Sequence, residues 1–447
     1  MKKETIAEQL SKRQYKKPKL FFWRFLINFI ANPILLPKHH LKTKIVDDIK
    51  DCDGPCFVIY NHQSRMDYLY VGKCCPTTPL NYLVAYNEFF RNKFKFVFKL
   101  MNCIPKKNFV TDIDSMDAIN SIIKQNGKIC FAPEGITSIV GHNQPIVAGT
   151  GKFLKHYNIP VYLCKINGAF LSSNKTLIKE KDGPVFANFS LLFTKEDLEN
   201  QTEQEIQDEV DKALWTDEYE WNKKQHFLYH SKGKICDHLH DLCYKCPKCG
   251  TEFKMIGKGN KIVCSNCGNG ATQDDYYDFH PLNENCVIPE TVSKWADQER
   301  KDVYQEIKTN PNFAFEFDAK LGGLPKYKYL KHNKTSIDIG SGHILLNHEG
   351  FHFDGTKDNK PFIFTLTWAQ LTTVYMVNDV TSFSLYFGGE YYEFTPTTPV
   401  SFKALLIVEE MHRLHINKWK NFPWMDDIYK KWHFSKCLFI YPLMDLI

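Results

Sequence analysis

Two kinds of hydrophobic pattern divide most of the chain into two predicted regions. From residue 45 to about residue 232, short apolar runs alternate with amphipathic stretches, as expected for an α/β domain. From residue 336 to about residue 420, several short strands separated by Gly-containing turns are followed by one amphipathic helix. The pattern therefore predicts an α/β domain with a mixed, mostly parallel sheet flanked by helices, and a C-terminal all-β barrel or sandwich capped by a helix.

The apolar runs also set the bounds of the predicted elements. In the first region, the predicted strands are Cys56–Tyr60, Tyr82–Ala85, Lys128–Ala132 and Pro160–Ile166, and the predicted helices are Ser115–Gln125, Ala148–His156 and Glu203–Leu214. In the last region, the predicted strands are His343–Leu346, Gly350–Phe353, Phe362–Thr367, Thr372–Val377, Ser382–Phe387 and Tyr391–Phe394, and the helix is Val400–Ile416. Residues 271–335 are predicted to form a helical connector, and residues 421–447 an apolar tail.

One amphipathic stretch, Leu20–Leu36, precedes the α/β region. Its polar residues Arg24, Asn28 and Asn32 are spaced four apart, which places them on one face of a helix, while apolar residues cover the rest. Pro33 is expected to end or kink this helix. The pattern favours a helix lying in a membrane interface over a helix packed on the protein's own core or one that spans the bilayer.

Charge is unevenly distributed along the chain. Residues 1–44 contain eleven Lys or Arg and two Glu, whereas the whole chain has a formal net charge of +6, so the remainder is net negative. The basic N-terminal segment predicts an anionic partner, either a membrane surface or nucleic acid. Together with the amphipathic helix it favours an anionic membrane surface, and no binding of nucleic acid is expected. A mean hydropathy of −0.38 and the lack of a long apolar run exclude a polytopic membrane protein.

Cysteine usage indicates the compartment. The chain has fifteen Cys and no recognisable secretory signal, which predicts a reducing environment. We therefore expect a cytoplasmic protein that attaches peripherally to the inner face of the membrane.

A candidate general base follows the first predicted strand, in the segment Asn61-His62-Gln63-Ser64-Arg65-Met66-Asp67. Ser64 is predicted to cap the next helix with Asp67 in its first turn, so that His62 and Asp67 can meet. A carboxylate that binds one imidazole nitrogen fixes the tautomer and leaves the other nitrogen free to accept a proton. The segment therefore predicts that His62 takes a proton from a hydroxyl, although this spacing also arises by chance among seventeen His.

A second candidate element is Pro133-Glu134-Gly135, directly after the predicted strand Lys128–Ala132. A turn at this point places a carboxylate and backbone amides at the carboxyl end of a parallel strand. Open α/β sheets bind their ligands at that edge.

These elements, in this order, resemble the motifs of the glycerolipid acyltransferase family, of the 1-acyl-sn-glycerol-3-phosphate type. The first family motif, N-H-x-S-x-x-D, is matched in full, and the third, F-P-E-G-T-x-S, is matched with one inserted residue, Ala132. The matching residues are Asn61, His62, Ser64, Asp67, Phe131, Pro133, Glu134, Gly135 and Ser138, together with Pro160-Val161 of the fourth motif. The resemblance covers residues 45–230.

The chain departs from the family pattern at two places. Ile136-Thr137 stands where the family often has Thr-Arg, whose Arg is associated with the acceptor phosphate. Near the second motif, Lys106 and Lys107 stand in place of the usual Gly and Arg; they supply point charges rather than a bidentate fork. Ordinary solvated lysines are the alternative interpretation of this pair.

The resemblance implies transfer of an acyl group from acyl-CoA or acyl-ACP to the free hydroxyl of a lysophospholipid, first of all 1-acylglycerol-3-phosphate, in phospholipid synthesis. It implies that His62 is the catalytic base, that Asp67 orients it, and that an acyl carrier protein is a candidate partner. The substrate-binding residues it implies are Asn61, Ser64, Lys106, Lys107, Glu134, Gly135, Thr137 and Ser138. The alternative is a non-catalytic zinc-ribbon adaptor that recruits partners to the membrane on a degenerate acyltransferase scaffold.

Residues 243–270 contain two Cys-x-x-Cys pairs separated by fourteen residues, a spacing typical of a zinc site. The predicted ligands are Cys246, Cys249, Cys264 and Cys267. Four thiolates complete a tetrahedron and leave no open position, so the site is predicted to be structural, within a zinc ribbon. A redox-active dithiol pair is the alternative.

Residues 336–420 resemble the pleckstrin-homology/GRAM-like fold. The resemblance rests on the number of strands, on Trp368 and on the closing helix Phe402–Leu414. Because basic residues are sparse here, no phosphoinositide pocket is evident, and a protein-docking role is the other interpretation.

Overall fold

The computed structural model describes residues 3–176, 179–377 and 379–416, and the tail predicted at residues 421–447 lies outside these ranges. Within them, the strands form two large sheets with a small sheet between them in the sequence. None of the helices in the described ranges is both long enough and apolar enough to cross a membrane.

The first large sheet is mostly parallel and has the strand order β1-β7-β6-β2-β5-β3-β4. Its strands are β1 (Lys42–Ile45), β2 (Cys56–Tyr60), β3 (Leu80–Ala85), β4 (Ile104–Lys106), β5 (Lys128–Phe131), β6 (Val161–Asn167) and β7 (Phe186–Phe193). Only β6 and β7 pair antiparallel among these described strands. Ile59 of β2 is in register with Phe131 of β5, so the loops that follow these two strands begin side by side. The predicted mixed, mostly parallel sheet is confirmed.

Helices cover both faces of this sheet. Alternate residues of β2 enter two different apolar clusters: Val58 packs with the N-terminal helix and with the first helix after β2, and Phe57 packs with later helices. The helices of this domain are α1 (Ile6–Ser11), α2 (Leu20–Phe25), α3 (Asp67–Cys74), α4 (Asn92–Leu100), α5 (Ile113–Ile123), α6 (Thr150–Tyr157), α7 (Ala169–Ser172), α8 (Lys195–Asn200), α9 (Glu203–Leu214) and α10 (Glu218–Gln225). Short 3₁₀ segments lie at Pro37–His39, Ile49–Asp51, Tyr86–Phe90 and Leu239–Asp241.

The N-terminal helix has one face in the core and one face in solvent. It continues from α2 as a π-helix, Leu26–Leu35. The helix therefore runs past Pro33, where the sequence predicted an end or a kink. The wider turn bonds the Leu36 N–H to the carbonyl five residues earlier and carries the helix past the proline. Its buried residues Trp23, Ile27 and Ala31 recur every four positions and pack on the α/β domain. On the other side Phe21, Phe25, Phe29 and Ile34 are exposed.

The cysteine-rich module forms the small antiparallel sheet, in the order β11-β10-β9-β8. Its strands are β8 (Met255–Lys258), β9 (Lys261–Cys264), β10 (Gly270–Gln273) and β11 (Phe279–Pro281). β8 and β9 form a hairpin through a tight turn at Gly259, which has a positive φ of 66°.

The C-terminal sheet is antiparallel and open in the described residues, with the order β15-β14-β13-β12-β18-β17-β16. The predicted closed barrel is therefore not confirmed, because β15 and β16 lie at opposite edges and do not pair. The strands are β12 (Ala314–Gly323), β13 (Ile337–Asn347), β14 (Gly350–Lys357), β15 (Lys360–Leu366), β16 (Tyr375–Met376), β17 (Phe383–Phe387) and β18 (Glu390–Pro396). The closing helix is α12 (Ser401–His415), as predicted.

The predicted helical connector contains more than helix. It holds β10 and β11, α11 (Val292–Thr309), and β12, the strand at the centre of the C-terminal sheet. α11 packs against α12, where Arg300 binds Glu409 at 2.7 Å and Glu410 at 2.8 Å in a buried cluster. The cysteine module, α11 and the C-terminal sheet consequently share one apolar core.

Lys181 is a buried lysine without a hydrogen-bond partner for its Nζ among the described residues. It is 2% exposed, and burial lowers its pKa from 10.5 to about 7, partly offset by Asp275. At pH values between about 7 and 10.5, Lys181 binds more protons in the unfolded chain than in the folded chain. The free-energy cost of burying Lys181 is therefore largest near pH 7 and decreases as the pH rises.

We expect Lys181→Met to raise the free energy of unfolding by about 1–3 kcal/mol near neutral pH, because it removes a buried polar group that has no partner. Urea unfolding at about pH 7 and about pH 9 measures this gain, which should be smaller at the higher pH. Lys261→Met, at an exposed lysine, is the control. An equal gain in the free energy of unfolding at both pH values would contradict the lowered pKa of Lys181.

Candidate active site

His62 and Asp67 form a close pair at the carboxyl end of β2. His62 Nδ1 lies 2.8 Å from Asp67 Oδ2, and the Asp67 side chain is 1% exposed. α3 begins at Asp67 itself, so Ser64 is not the α-helix cap that the sequence predicted. Instead Ser64 donates to Asp67 through its backbone N–H at 2.9 Å and its hydroxyl at 3.1 Å, and the Gln63 N–H donates at 2.7 Å.

These donors fix the carboxylate in a dry environment. Burial raises the pKa of Asp67 above its ordinary value, while the His62 imidazole and the Ser64 donors oppose that rise. Since the carboxylate only accepts, His62 Nδ1 carries the proton and Nε2 is left as the acceptor. Thr137 lies next to that nitrogen, with its hydroxyl oxygen 3.2 Å from Nε2.

Glu134 and Ser138 hold the backbone of His62 rather than lining a cavity. Glu134 is 1% exposed and accepts the His62 N–H at 2.8 Å, the Asn143 side-chain amide at 2.7 Å and the Gln144 N–H at 2.9 Å. Burial raises the pKa of Glu134 to about 8, although these three donors act in the opposite direction. The Ser138 N–H donates to the His62 carbonyl at 2.7 Å. Both residues therefore position the loop that carries His62.

Asn61, the first residue of the motif, also has a structural contact. Its side-chain amide donates to the Ile166 carbonyl and its oxygen accepts the Ile166 N–H, both at 2.7 Å. This fixes the end of β2 against β6. Among the predicted substrate-binding residues, Gly135, Thr137 and Lys106 line the cavity beside His62, and Asn61, Ser64, Glu134 and Ser138 lie behind it.

The two predicted lysines are separated by the fold. Lys106 faces the cavity, but its ammonium donates to the Lys107 carbonyl at 2.9 Å and lies 3.7 Å from Asp112. Burial lowers the pKa of Lys106, against the opposing effect of Asp112. Lys107 instead lies over the Tyr86 ring and lines a different cavity.

An open cavity of about 1260 Å³ lies in front of His62. Apolar side chains such as Leu26, Tyr82, Val97 and Phe131 line much of it. The C-terminal sheet supplies another part of the wall, through residues that include Tyr375 and Glu393. No sequence pattern predicted this contribution, because it arises from the packing of two domains.

Positive side chains that the sequence analysis did not single out also line this cavity. They are Arg65, Arg91, Lys93 and Lys334. Arg65 lies three residues after His62 and contacts Glu180 at 3.4 Å. Arg91 is 8% exposed and binds the Thr335 hydroxyl at 2.8 Å. The only sequence signal for Arg65 was its place within the first motif.

A buried histidine links the catalytic loop to α11. His142 Nε2 lies 3.0 Å from Asp297 of α11, and Nδ1 lies 3.0 Å from the Asn143 carbonyl. Because both neighbours can only accept, both ring nitrogens donate and the imidazole is positively charged. Burial opposes this charge, but Asp297, Asp217 and the Asn143 carbonyl together outweigh burial and raise the pKa of His142. Asn143 is also the residue that binds Glu134, so α11 is connected to the His62 loop.

The four predicted cysteine ligands come together in one cluster, with all their sulfurs within 4.8 Å of one another. The Cys246–Cys267 and Cys249–Cys264 sulfur separations are 3.7 Å and 3.8 Å. A tetrahedral zinc with Zn–S bonds of about 2.3 Å needs separations of about 3.8 Å. The Asn269 amide donates to the Cys246 sulfur at 3.6 Å, as expected beside a thiolate. The cluster therefore fits a tetrahedral metal such as zinc.

Comparison with known proteins agrees with the geometry of the His62 site. Residues 37–166, which include the His62 and Glu134 motifs, match the family model described as Acyltransferase. Among solved structures, the chain is similar to the crystal structure of the 1-acyl-sn-glycerophosphate (LPA) acyltransferase PlsC from Thermotoga maritima. The identity is 15% and the TM-score 0.34, over 44% of this chain and 76% of that chain, which is too distant to support an inference about function. No curated protein matches the chain. Residues 37–166 of this chain therefore match the acyltransferase family.

Proposed function

We propose that this protein is a membrane-associated O-acyltransferase of phospholipid synthesis. It moves an acyl group from acyl-CoA or acyl-ACP to the free hydroxyl of a lysophospholipid, with 1-acylglycerol-3-phosphate as the first acceptor to test. The observation that carries the proposal is the His62 imidazole, whose Nδ1 is bound to Asp67 and whose Nε2 is available at a large, mainly apolar cavity. At about 1260 Å³, this cavity exceeds the usual range for small-ligand sites, about 300–1,000 Å³, and has room for acyl chains.

The reaction follows from this geometry. The acceptor hydroxyl binds in the cavity beside Nε2, next to the Thr137 hydroxyl, and gives its proton to Nε2 while its oxygen attacks the thioester carbonyl. The carbon–sulfur bond then breaks, and the imidazolium returns the proton to the departing thiolate. Asp67 stabilises the imidazolium throughout and keeps Nδ1 protonated.

The anionic head group of the acceptor needs a positive partner. Lys107 lines a different cavity, so the candidates are the side chains that line the cavity of His62: Arg65, Arg91, Lys93, Lys106 and Lys334. Arg65 can bind a phosphate with two parallel hydrogen bonds, which a lysine cannot do.

The cysteine cluster is proposed to hold one structural zinc. Cys246, Cys249, Cys264 and Cys267 supply all four ligands, so the metal leaves no position for substrate. The site lies in the module that packs against α11, and its proposed role is to stabilise that contact.

The experiment that tests the function is a thioester-release assay. Purified protein is mixed with acyl-CoA or acyl-ACP and a series of lysophospholipids, and both free thiol and acylated product are measured. We expect thiol release that depends on the acceptor. Release that is absent with every donor and acceptor would favour the non-catalytic adaptor, an alternative that the loss of the motif Arg at Thr137 supports.

We also propose that the protein is cytoplasmic and attaches to the inner face of the membrane through its N-terminus. Phe21 and Phe29 are 73% and 66% exposed, on the face of the helix opposite the buried Trp23. Exposed aromatics beside Lys-rich sequence are typical of a helix that lies in the interface of an anionic bilayer.

Replacing Phe21, Phe25 and Phe29 together by Ser is expected to lower activity on bilayer substrate while activity on detergent-dispersed substrate is kept, because these side chains are outside the core. Rates on the two substrate forms measure the effect. This variant is preferred to deletion of residues 1–36, which would also remove Trp23 and Ile27 from the core. Equal rates on bilayer substrate for variant and wild type would locate the tether elsewhere.

A further inference from the structure

α4 (Asn92–Leu100) is an unusually exposed helix for its position beside the catalytic cavity. None of its residues is buried. Its inner side chains Phe94, Val97 and Phe98 line the cavity of His62. On the outer side Phe96 is 72% exposed, between the exposed Lys95 and Lys99. The helix contains three Lys and no acidic residue.

The N-terminal segment and α4 are connected directly. Arg13 donates from its guanidinium to the carbonyls of Phe98 and Lys99 at the end of α4, both at 3.1 Å. Leu26 and Leu35 of the N-terminal helix line the same cavity as Phe94 and Val97. Both elements therefore border the cavity with an apolar side and present basic, aromatic side chains outward.

We propose that the outer face of α4 is a second membrane-contacting surface, with an anionic lipid bilayer as its partner. Phe96 enters the boundary between head groups and acyl chains, and Lys99 contacts anionic head groups. This inference rests on the proposed function, because lipid substrates held in a bilayer must enter a cavity that opens toward it.

Three observations favour a bilayer over a protein partner. The charge on α4 has a single sign, which complements an anionic surface. A large aromatic side chain stands between lysines on a helix with an apolar inner face, as in helices that lie in a membrane interface. The N-terminal segment, which bonds to α4 through Arg13, also carries exposed phenylalanines and basic residues.

The test is co-sedimentation of the full chain with vesicles of phosphatidylcholine alone or of equal parts phosphatidylcholine and phosphatidylglycerol. The variants are Phe96→Ser and Lys99→Ala. Their matched controls are Ile363→Ser and Lys360→Ala, because Ile363 is 67% exposed and Lys360 is also exposed, on β15 of the C-terminal sheet. Activity on detergent-dispersed substrate is measured for each protein.

We expect Phe96→Ser to raise the lipid concentration for half-binding about tenfold, from the loss of an inserted aromatic side chain. Lys99→Ala should raise it about fivefold on the anionic vesicles only, and this effect should fade as salt is added. The β15 controls should bind as the wild type does, and activity in detergent should be unchanged in all four variants.

Two results would overturn the proposal: unchanged vesicle binding by both α4 variants, or an equal loss in the β15 controls. Failure of the proposed function is distinguishable, because vesicle binding requires no catalysis. Binding that depends on Phe96 in a protein with no thioester release would support this surface and contradict the acyltransferase activity.

Discussion

We expect His62→Ala to lower kcat for acyl transfer by about 10²–10⁴-fold, because the variant has no group to take the proton of the acceptor hydroxyl. The fold should persist, since His62 is partly exposed and Asp67 keeps the donors of Gln63 and Ser64. Asp67→Asn should also lose much of the activity, because an amide at this position favours the wrong tautomer of the imidazole. Steady-state rates with saturating donor measure both effects.

A second histidine–aspartate pair in the chain provides the matched control. His280 Nε2 lies 2.8 Å from Asp274, the same separation as in the proposed catalytic pair, but His280 is largely exposed and lies outside the cavity. His280→Ala should therefore keep the wild-type rate. Near-wild-type turnover by His62→Ala would show that another group accepts the proton, and the proposed mechanism would be wrong.

The contact between His62 and Asp67 could be predicted from sequence because its geometry is local. His62 and Asp67 are five residues apart, at the junction of one strand and one helix, so neither depends on distant packing. The contacts that hold the His62 loop in place could not be predicted in this way. His142 and Asp297 are 155 residues apart, and no periodicity or motif spacing connects residues of two different domains. Their contact could be found only in the folded chain.

The errors in the predicted fold have related physical causes. β12 was taken for connector, because exposed charges such as Glu316 and Asp318 interrupt its apolar residues. The barrel prediction rested on strand number, and closure depends on which edges pair, which strand number does not determine. For Leu20–Leu36, two predicted alternatives each describe one face: the buried stripe of Trp23 and Ile27 packs on the core, and the phenylalanines remain exposed.

Loss of the proposed zinc is expected to unfold the cysteine module and also to lower acyl transfer. Zinc binding contributes about 10–16 kcal/mol to the folding of small zinc-finger peptides, so removing one ligand should cost most of the local stability. The module is attached to α11, because the Lys245 N–H donates to Glu299 at 2.8 Å and the Trp295 indole donates to the Lys245 carbonyl at 2.9 Å. Asp297, which lies between Trp295 and Glu299 in the sequence of α11, binds His142.

Cys246→Ser is the variant to compare, and Cys286→Ser is its control, because Cys286 lies near the module but outside the cluster. We expect Cys246→Ser to lose bound zinc, to unfold at a lower temperature and to have a reduced kcat, since α11 then holds the His142 loop less firmly. Metal analysis, thermal unfolding and the thioester-release assay measure the three effects, and Cys286→Ser should match the wild type in each. A zinc-free Cys246→Ser protein with unchanged Tm and kcat would contradict both the structural role of the metal and its connection to the active site.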